Sequence, residues 1–391
     1  MTKDTTKPGR IAHLDSLRGL AALIVVFHHC LVTFPRFWAV YQRPATTPLM
    51  RLLGNTPVHL LWDGPEFVLV FFTLSGFVLS LPFWKGTKMG YGQFVVRRVF
   101  RIYPAYFVAV ATGMILMSIL AHGPLQGLSA WAGQFWNRPL DWKIVSDQLF
   151  LMASDGDNYI DTPVWSLVVE MHASLVFPLL IIAIRSSEWG ALLGAFALAL
   201  FGDWAARVDP GGHPFLTSFA TSASFLWLFV VGALMARHRQ RLGEQIARIA
   251  LPLQLAICAA ALVALNAIWQ FGADEKWRFV EQTGAIVLVG CAAFMGWAKR
   301  ILDVRALRWL GTISYSLYLI HFIVLFALLN AFGGAVTLPF VLIAVPSLSI
   351  AAAGLLYRFV EVPSIAWGHY FSEMVPAKFA APAQAADSAP P

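Results

Sequence analysis

The sequence predicts an all-α, polytopic membrane protein of about ten transmembrane helices, with both termini in the cytoplasm. Three observations carry this. Of 391 residues, 58% are hydrophobic and 13% charged, with a mean hydropathy of +0.67; soluble domains carry about 25% charged residues. Apolar runs near the ~20 residues that cross a bilayer recur along the whole chain. With the N-terminus placed inside, 20 of the 28 Lys and Arg residues fall in cytoplasmic segments, as the positive-inside bias requires.

The expected spans are 14–34, 65–83, 102–121, 163–184, 188–206, 215–236, 249–270, 279–298, 309–331 and 337–359. The first follows a short cytoplasmic segment, 1–10, and ends in FHHCLVTFPRF without a small-residue cleavage site, so it should be retained as a span. The third is entered through QFVVRRVFRIYPAYF, rich in arginine. The fourth and fifth are split by the short turn RSSE, and Asp203 and Arg207 border the fifth. Two long outer loops, about 35–64 and 122–162, separate the early spans; the second carries Asp147, Asp155, Asp157 and Asp161 around an apolar LFLMA too short to cross. Residues 11–365 form one membrane domain, and the Ala/Pro-rich tail 373–391 is expected to be disordered. The net charge of +7 follows from the loop bias and calls for no nucleic acid. Cys30, Cys258 and Cys291 stand alone in apolar runs, so neither a disulfide framework nor a metal site is expected. The expected location is the plasma (inner) membrane, crossed many times.

Ionisable side chains are costly inside a bilayer, so each one within a span marks a candidate site. In LDSLRGLAALIVVFHHC, Arg18 and His29 are eleven residues apart. That is three helical turns plus about 20°, so both lie on one face, roughly 16 Å apart along the axis. His29 is the candidate general base or acyl-accepting nucleophile. His28 points about 100° away and reads as structural. Arg97, Arg98 and Arg101 fall within a ~100° arc at the cytoplasmic entrance of the third span. Guanidinium forks on one face suit a phosphate or pyrophosphate, such as that of coenzyme A. Glu170 lies about two turns into the fourth span, with Ser166 and Ser174 on its face; it can pair with an arginine, orient His29 or bind an acceptor hydroxyl. Ser314, Tyr318 and His321 share a helix face and read as a polar lining. Ser75 and Gly76 permit close approach of a helix or ligand.

Taken in order over residues 11–365, these stretches resemble the acyltransferase-3 family of integral-membrane O-acyltransferases. The signature matches Arg18 and His29; Ser-Gly-Phe matches Ser75, Gly76 and Phe77; R-x-x-R before I-x-P-x-Y matches Arg98, Arg101, Ile102, Pro104 and Tyr106. W-S-L-x-x-E matches Trp165, Ser166, Leu167 and Glu170, S-Y-x-x-Y-L-x-H matches Ser314 to His321, and Y-R-F-V-E-x-P matches Tyr357 to Pro363. One departure is Glu-Met-His at 170–172, where the family usually has a second acid. The resemblance implies acyl transfer, commonly acetyl from acetyl-CoA as co-substrate and without a metal. The acceptor would be a hydroxyl of a glycan, a lipid-linked sugar or a small molecule, by a stand-alone member without a fused hydrolase-like domain. It also implies catalytic His29 and Glu170, CoA binding by Arg18, Arg97, Arg98 and Arg101, and substrate contacts from Ser75, Trp165, Ser314, Tyr318 and His321. Two other readings are an acyltransferase acting on a cytoplasmic small molecule and a proton-coupled transporter. The transporter should show inverted repeats, and the sequence shows no repeat.

Overall fold

The computed structural model describes residues 11–42, 47–54, 56–86, 89–121, 123, 125–149, 159–208, 214–267 and 275–376. Its helices are, in chain order, α1 (Ala12–Val32), α2 (Pro35–Gln42), α3 (Pro48–Gly54), α4 (Gly64–Trp84), α5 (Tyr91–Leu120), α6 (Trp142–Leu149), α7 (Val164–Ser186), α8 (Glu188–Val208) and α9 (Pro214–Arg237). There follow α10 (Arg239–Ala247), α11 (Leu251–Leu265), α12 (Glu275–Phe294), α13 (Gly296–Leu302), α14 (Arg305–Ala331), α15 (Leu338–Leu356) and α16 (Val362–Glu373). A π-turn, Tyr357–Glu361, joins the last two. Among the described residues there is no strand.

Among the described residues, eight helical runs are long and apolar enough to cross a bilayer: α1, α4, α5, α7, α8, α9, α14 and the continuous run from Leu338 to Glu373. α12 and α13 qualify together as one span, bent by 86°. α11 is apolar but has 15 residues, or about 22 Å of helix against ~30 Å of hydrocarbon. Eight of the ten expected runs are unbroken spans and a ninth is the bent pair; of the run 249–270, α11 covers Leu251–Leu265, and 268–270 lie outside the described residues. The tail 377–391 and most of the LFLMA stretch lie outside the described residues.

Local chemistry sets the boundaries that position the site. α5 starts three turns before the expected span, because the Gly90 N–H donates to Gln93 Oε1 (2.9 Å) and opens a helix there. The arginines at 97–101 are therefore fixed on a helix and not on a loop. Ser187 separates α7 from α8: its backbone is extended, and its Oγ accepts from the Gly190 N–H (3.0 Å), a cap for the first turn of α8. Leu193, Phe201 and Trp204 on α8 stay exposed, as lipid-facing side chains should.

α1 and α14 run parallel in direct contact. A Cβ on Gly19 would collide with the backbone of Leu310 and Gly311, and one on Gly311 with that of Asp15 and Ser16. Small residues let membrane helices pack backbone to backbone. Two to three turns further along, the same pairing brings His29 of α1 against His321 of α14. Gly76 of α4 and Gly232 of α9 form a second such contact.

Candidate active site

A cavity of about 380 Å³ opens between α1, α4, α5, α7, α14 and the C-terminal run. Arg18, Arg98 and Arg101 line it, facing Asp15, Glu170 and Glu361. Arg98 Nη2 meets Glu170 Oε1 at 2.7 Å, while its Nε donates to Ser174 Oγ at 3.1 Å. Ser75 Oγ donates to the same Glu170 oxygen at 3.5 Å. Arg101 pairs with Glu361, whose other oxygen accepts from Ser316 Oγ (2.6 Å). Arg101 also lies over the Tyr315 ring, 5.4 Å from its centroid. Arg98 and Arg101 are thus each held in place by a carboxylate and by a hydroxyl or an aromatic ring, and buried charges persist only with such partners.

Glu361 reaches this position because the helix is wound as a π-turn over Tyr357–Glu361. A π-turn inserts one residue into the helical register and often marks a functional site. Glu361 is 1% exposed. The YRFVE stretch was visible in the sequence, but its pairing with Arg101 was not.

Arg97 does not line the cavity: its Nε donates to Ser372 Oγ of α16 at 2.8 Å. The expected trio on α5 is therefore split, and Arg18 from α1 takes the third place. Ser75, Ser314 and Tyr318 line the cavity as expected of a polar lining. Trp165 is not in that lining and packs edge-on against Phe72. His172, on another face of α7, has Nδ1 2.7 Å from Ser222 Oγ of α9.

His29 is not in the cavity lining; it is buried, 8% exposed, and is joined to the cavity by two side chains. Tyr318 lines the cavity, its hydroxyl 2.8 Å from Ser166 Oγ, and its ring stands 5.9 Å from that of His321. His321 Nε2 is 2.8 Å from His29 Nδ1. Trp131 lies nearly parallel to the His29 ring (10°, centroids 5.6 Å apart), and Phe322 meets it edge-on. The loop that carries Trp131 is tied to the end of α1: the Ser129 N–H donates to Thr33 O (2.8 Å) and Ser129 Oγ to Val32 O (2.6 Å). The adjacent His28 is anchored elsewhere, its Nδ1–H donating to Trp62 O at 3.0 Å. Glu170 makes its contacts with Arg98 and Ser75; the side chain that holds His29 is His321. Trp131 carried no sequence signal, since it comes from a loop far from α1 along the chain. Among the described residues no group of three or more His, Cys, Asp or Glu is arranged to hold a metal ion.

Comparison with known proteins fits this arrangement. The family model described as an acyltransferase domain (Acyl_transf_3) matches residues 11–358. The chain is 24% identical to a putative peptidoglycan O-acetyltransferase, YrhL, of Bacillus subtilis over 90% of its own length and 54% of that protein. It is also 24% identical to nodulation protein 10 of Rhizobium leguminosarum bv. viciae, over 91% of this chain and 94% of that one. Identity is 23% to the peptidoglycan O-acetyltransferase OatA of Listeria monocytogenes, over 92% of this chain and 57% of that protein. The chain thus spans little more than half the length of the two peptidoglycan relatives. No solved structure matches it. With the family model covering residues 11–358, and with Arg18, Arg98, Arg101 and Glu170 lining one cavity that Tyr318 and His321 join to His29, the protein belongs to the acyltransferase-3 family.

Proposed function

We propose that this protein is a multi-pass O-acyltransferase of the plasma membrane that moves an acetyl group from cytoplasmic acetyl-CoA to a hydroxyl of a cell-envelope glycan or lipid-linked sugar. The observation that carries this reading is the continuity from an arginine-lined cavity, through Tyr318 and His321, to the buried His29. Arg18, Arg98 and Arg101 take the phosphates of the donor, and the pantetheine arm runs along α1. Phosphate binding shares the guanidinium forks with Glu170 and Glu361, which keep them pre-oriented when the site is empty.

In the transfer step, His29 Nε2 takes the proton of the acceptor hydroxyl as its oxygen attacks the thioester carbonyl. The C–S bond breaks, and the thiolate leaves with the proton returned from His29. Trp131 and Phe322 pack against the His29 ring, where they would shield the thioester from water. The acceptor enters from the end that carries the 121–141 loop. The nodulation and peptidoglycan relatives support a sugar hydroxyl as acceptor.

The test is mass spectrometry of envelope glycans and lipids from cells with and without the protein, with purified protein and labelled acetyl-CoA as the second arm. The expected result is one sugar heavier by a single acetyl group, formed with stoichiometric release of CoA. Substrate uptake into proteoliposomes with no CoA released would overturn the reading in favour of a transporter.

A further inference from the structure

We propose that His321 is a positioning residue that fixes the tautomer of His29 and shares its proton, so that the two imidazoles act as a neutral dyad. The proposal rests on the reading of His29 as the base. It follows from what each atom can donate. His321 Nδ1 is 3.1 Å from Leu317 O, and a carbonyl oxygen only accepts, so Nδ1 carries the proton. In a neutral ring Nε2 is then an acceptor, and it faces His29 Nδ1 at 2.8 Å. His29 Nδ1 is therefore the donor, and its lone pair is left on Nε2. Among the described residues that Nε2 makes no hydrogen bond. The ring is further fixed by Trp131 on one face and the edge of His28, with centroids 5.6 and 5.0 Å away.

The arrangement does the work that a carboxylate does for histidine in hydrolytic triads, holding one tautomer and stabilising the imidazolium that forms. Among the described residues no carboxylate hydrogen-bonds either ring. In a membrane interior this has a physical reason: an ionised carboxylate there is expensive, whereas a neutral imidazole is not. The proton account closes. The acceptor O–H proton passes to His29 Nε2, and the His29 Nδ1 proton moves onto His321 Nε2. The positive charge then sits on His321, which still donates to Leu317 O. When the thiolate leaves, His29 Nε2–H protonates the sulfur and the Nδ1 proton returns from His321, which restores both rings.

The test uses the full chain in lipid nanodiscs with ¹⁵N-labelled histidine, the two resonance sets assigned through single variants. The expected result is His29 protonated on Nδ1 and bare on Nε2. In His321→Phe the Nε2–H form of His29 should appear, and in His321→Gln, whose amide oxygen can still accept, the Nδ1–H form should persist. With acetyl-CoA turnover as the second readout, His321→Phe should lower kcat about 100-fold and His321→Gln about 10-fold, with KM for acetyl-CoA unchanged in both. A wild-type His29 found as the Nε2–H tautomer, or equal losses in the two variants with no change of tautomer, would overturn the proposal. If the wild type shows no acetyl transfer at all, the function reading fails while the nitrogen shifts still decide the dyad.

Discussion

His28 and His29 are adjacent in the chain, yet their surroundings assign them different work. His28 is tied by its Nδ1–H to Trp62 O in the loop before α4, and its ring packs against Gly64. His29 hydrogen-bonds through Nδ1 to another imidazole, which under the proposed mechanism leaves Nε2 to take the acceptor proton. His29→Ala should therefore lower acetyl transfer by about 10³-fold, the range for loss of a general base. His28→Asn should cost less than about ten-fold, and should lower thermal stability by the loss of one buried hydrogen bond, about 1 kcal/mol. Initial rates and melting curves on the two purified variants separate these outcomes. Arg98 carries a second residue-scale prediction. Its Nε and Nη2 engage Ser174 and Glu170 together, a fork that a single ammonium cannot reproduce. If Arg98 binds the donor phosphates as proposed, Arg98→Lys should raise KM for acetyl-CoA about ten-fold and leave kcat within about two-fold, since a phosphate contact is weakened while the reacting atoms are untouched.

At the scale of the element, the helices were legible because a bilayer demands ~20 consecutive apolar residues and the chain supplies them. The one-faced relation of Arg18 and His29 was legible too, because helical pitch alone sets it. What lies between helices was not. The bend of 86° between α12 and α13 falls in the apolar stretch around Met295, and the π-turn at Tyr357–Glu361 falls in YRFVE, two residues before Pro363. A span's hydrophobic periodicity records neither. The Gly19–Gly311 contact is of the same kind: each glycine alone is unremarkable in a span, and only their apposition sets the height at which His29 meets His321. Gly311→Val should therefore separate α1 from α14. Overpacking of this sort costs about 1–3 kcal/mol, and the His29–His321 bond should be lost with it. Melting temperature and acetyl transfer should fall together, and Gly243→Val, at a position with open space around it, should change neither. Glu361→Gln tests the π-turn. Arg101 keeps 31% of its side chain exposed, which discounts the penalty of a broken buried pair to about 1–2 kcal/mol.

For the whole molecule the decisive question is which end of the bundle meets the cytoplasm, because the proposed reaction joins a donor on one side to an acceptor on the other. The ends are well separated: α4 begins near His28 and the 121–141 loop, and ends at Trp84, whose ring takes cation contacts from Arg185 and Arg237. Leu61 is 69% exposed just before α4, and Gln240 is exposed just past α9. The basic residues crowd the Gln240 end, so that end should face the cytoplasm. With Cys30, Cys258 and Cys291 replaced by alanine, a membrane-impermeant maleimide added to intact spheroplasts should label Leu61→Cys. It should reach Gln240→Cys only after the membrane is opened. The same asymmetry should govern turnover: in sealed vesicles, acetyl-CoA should be consumed only when supplied on the Gln240 side, where the cavity's arginines lie. Labelling of both positions from one side, or turnover with acetyl-CoA on the Leu61 side, would mean that the arginine cavity does not open toward the cytoplasmic donor pool. The route from phosphate site to His29 would then have to be drawn the other way.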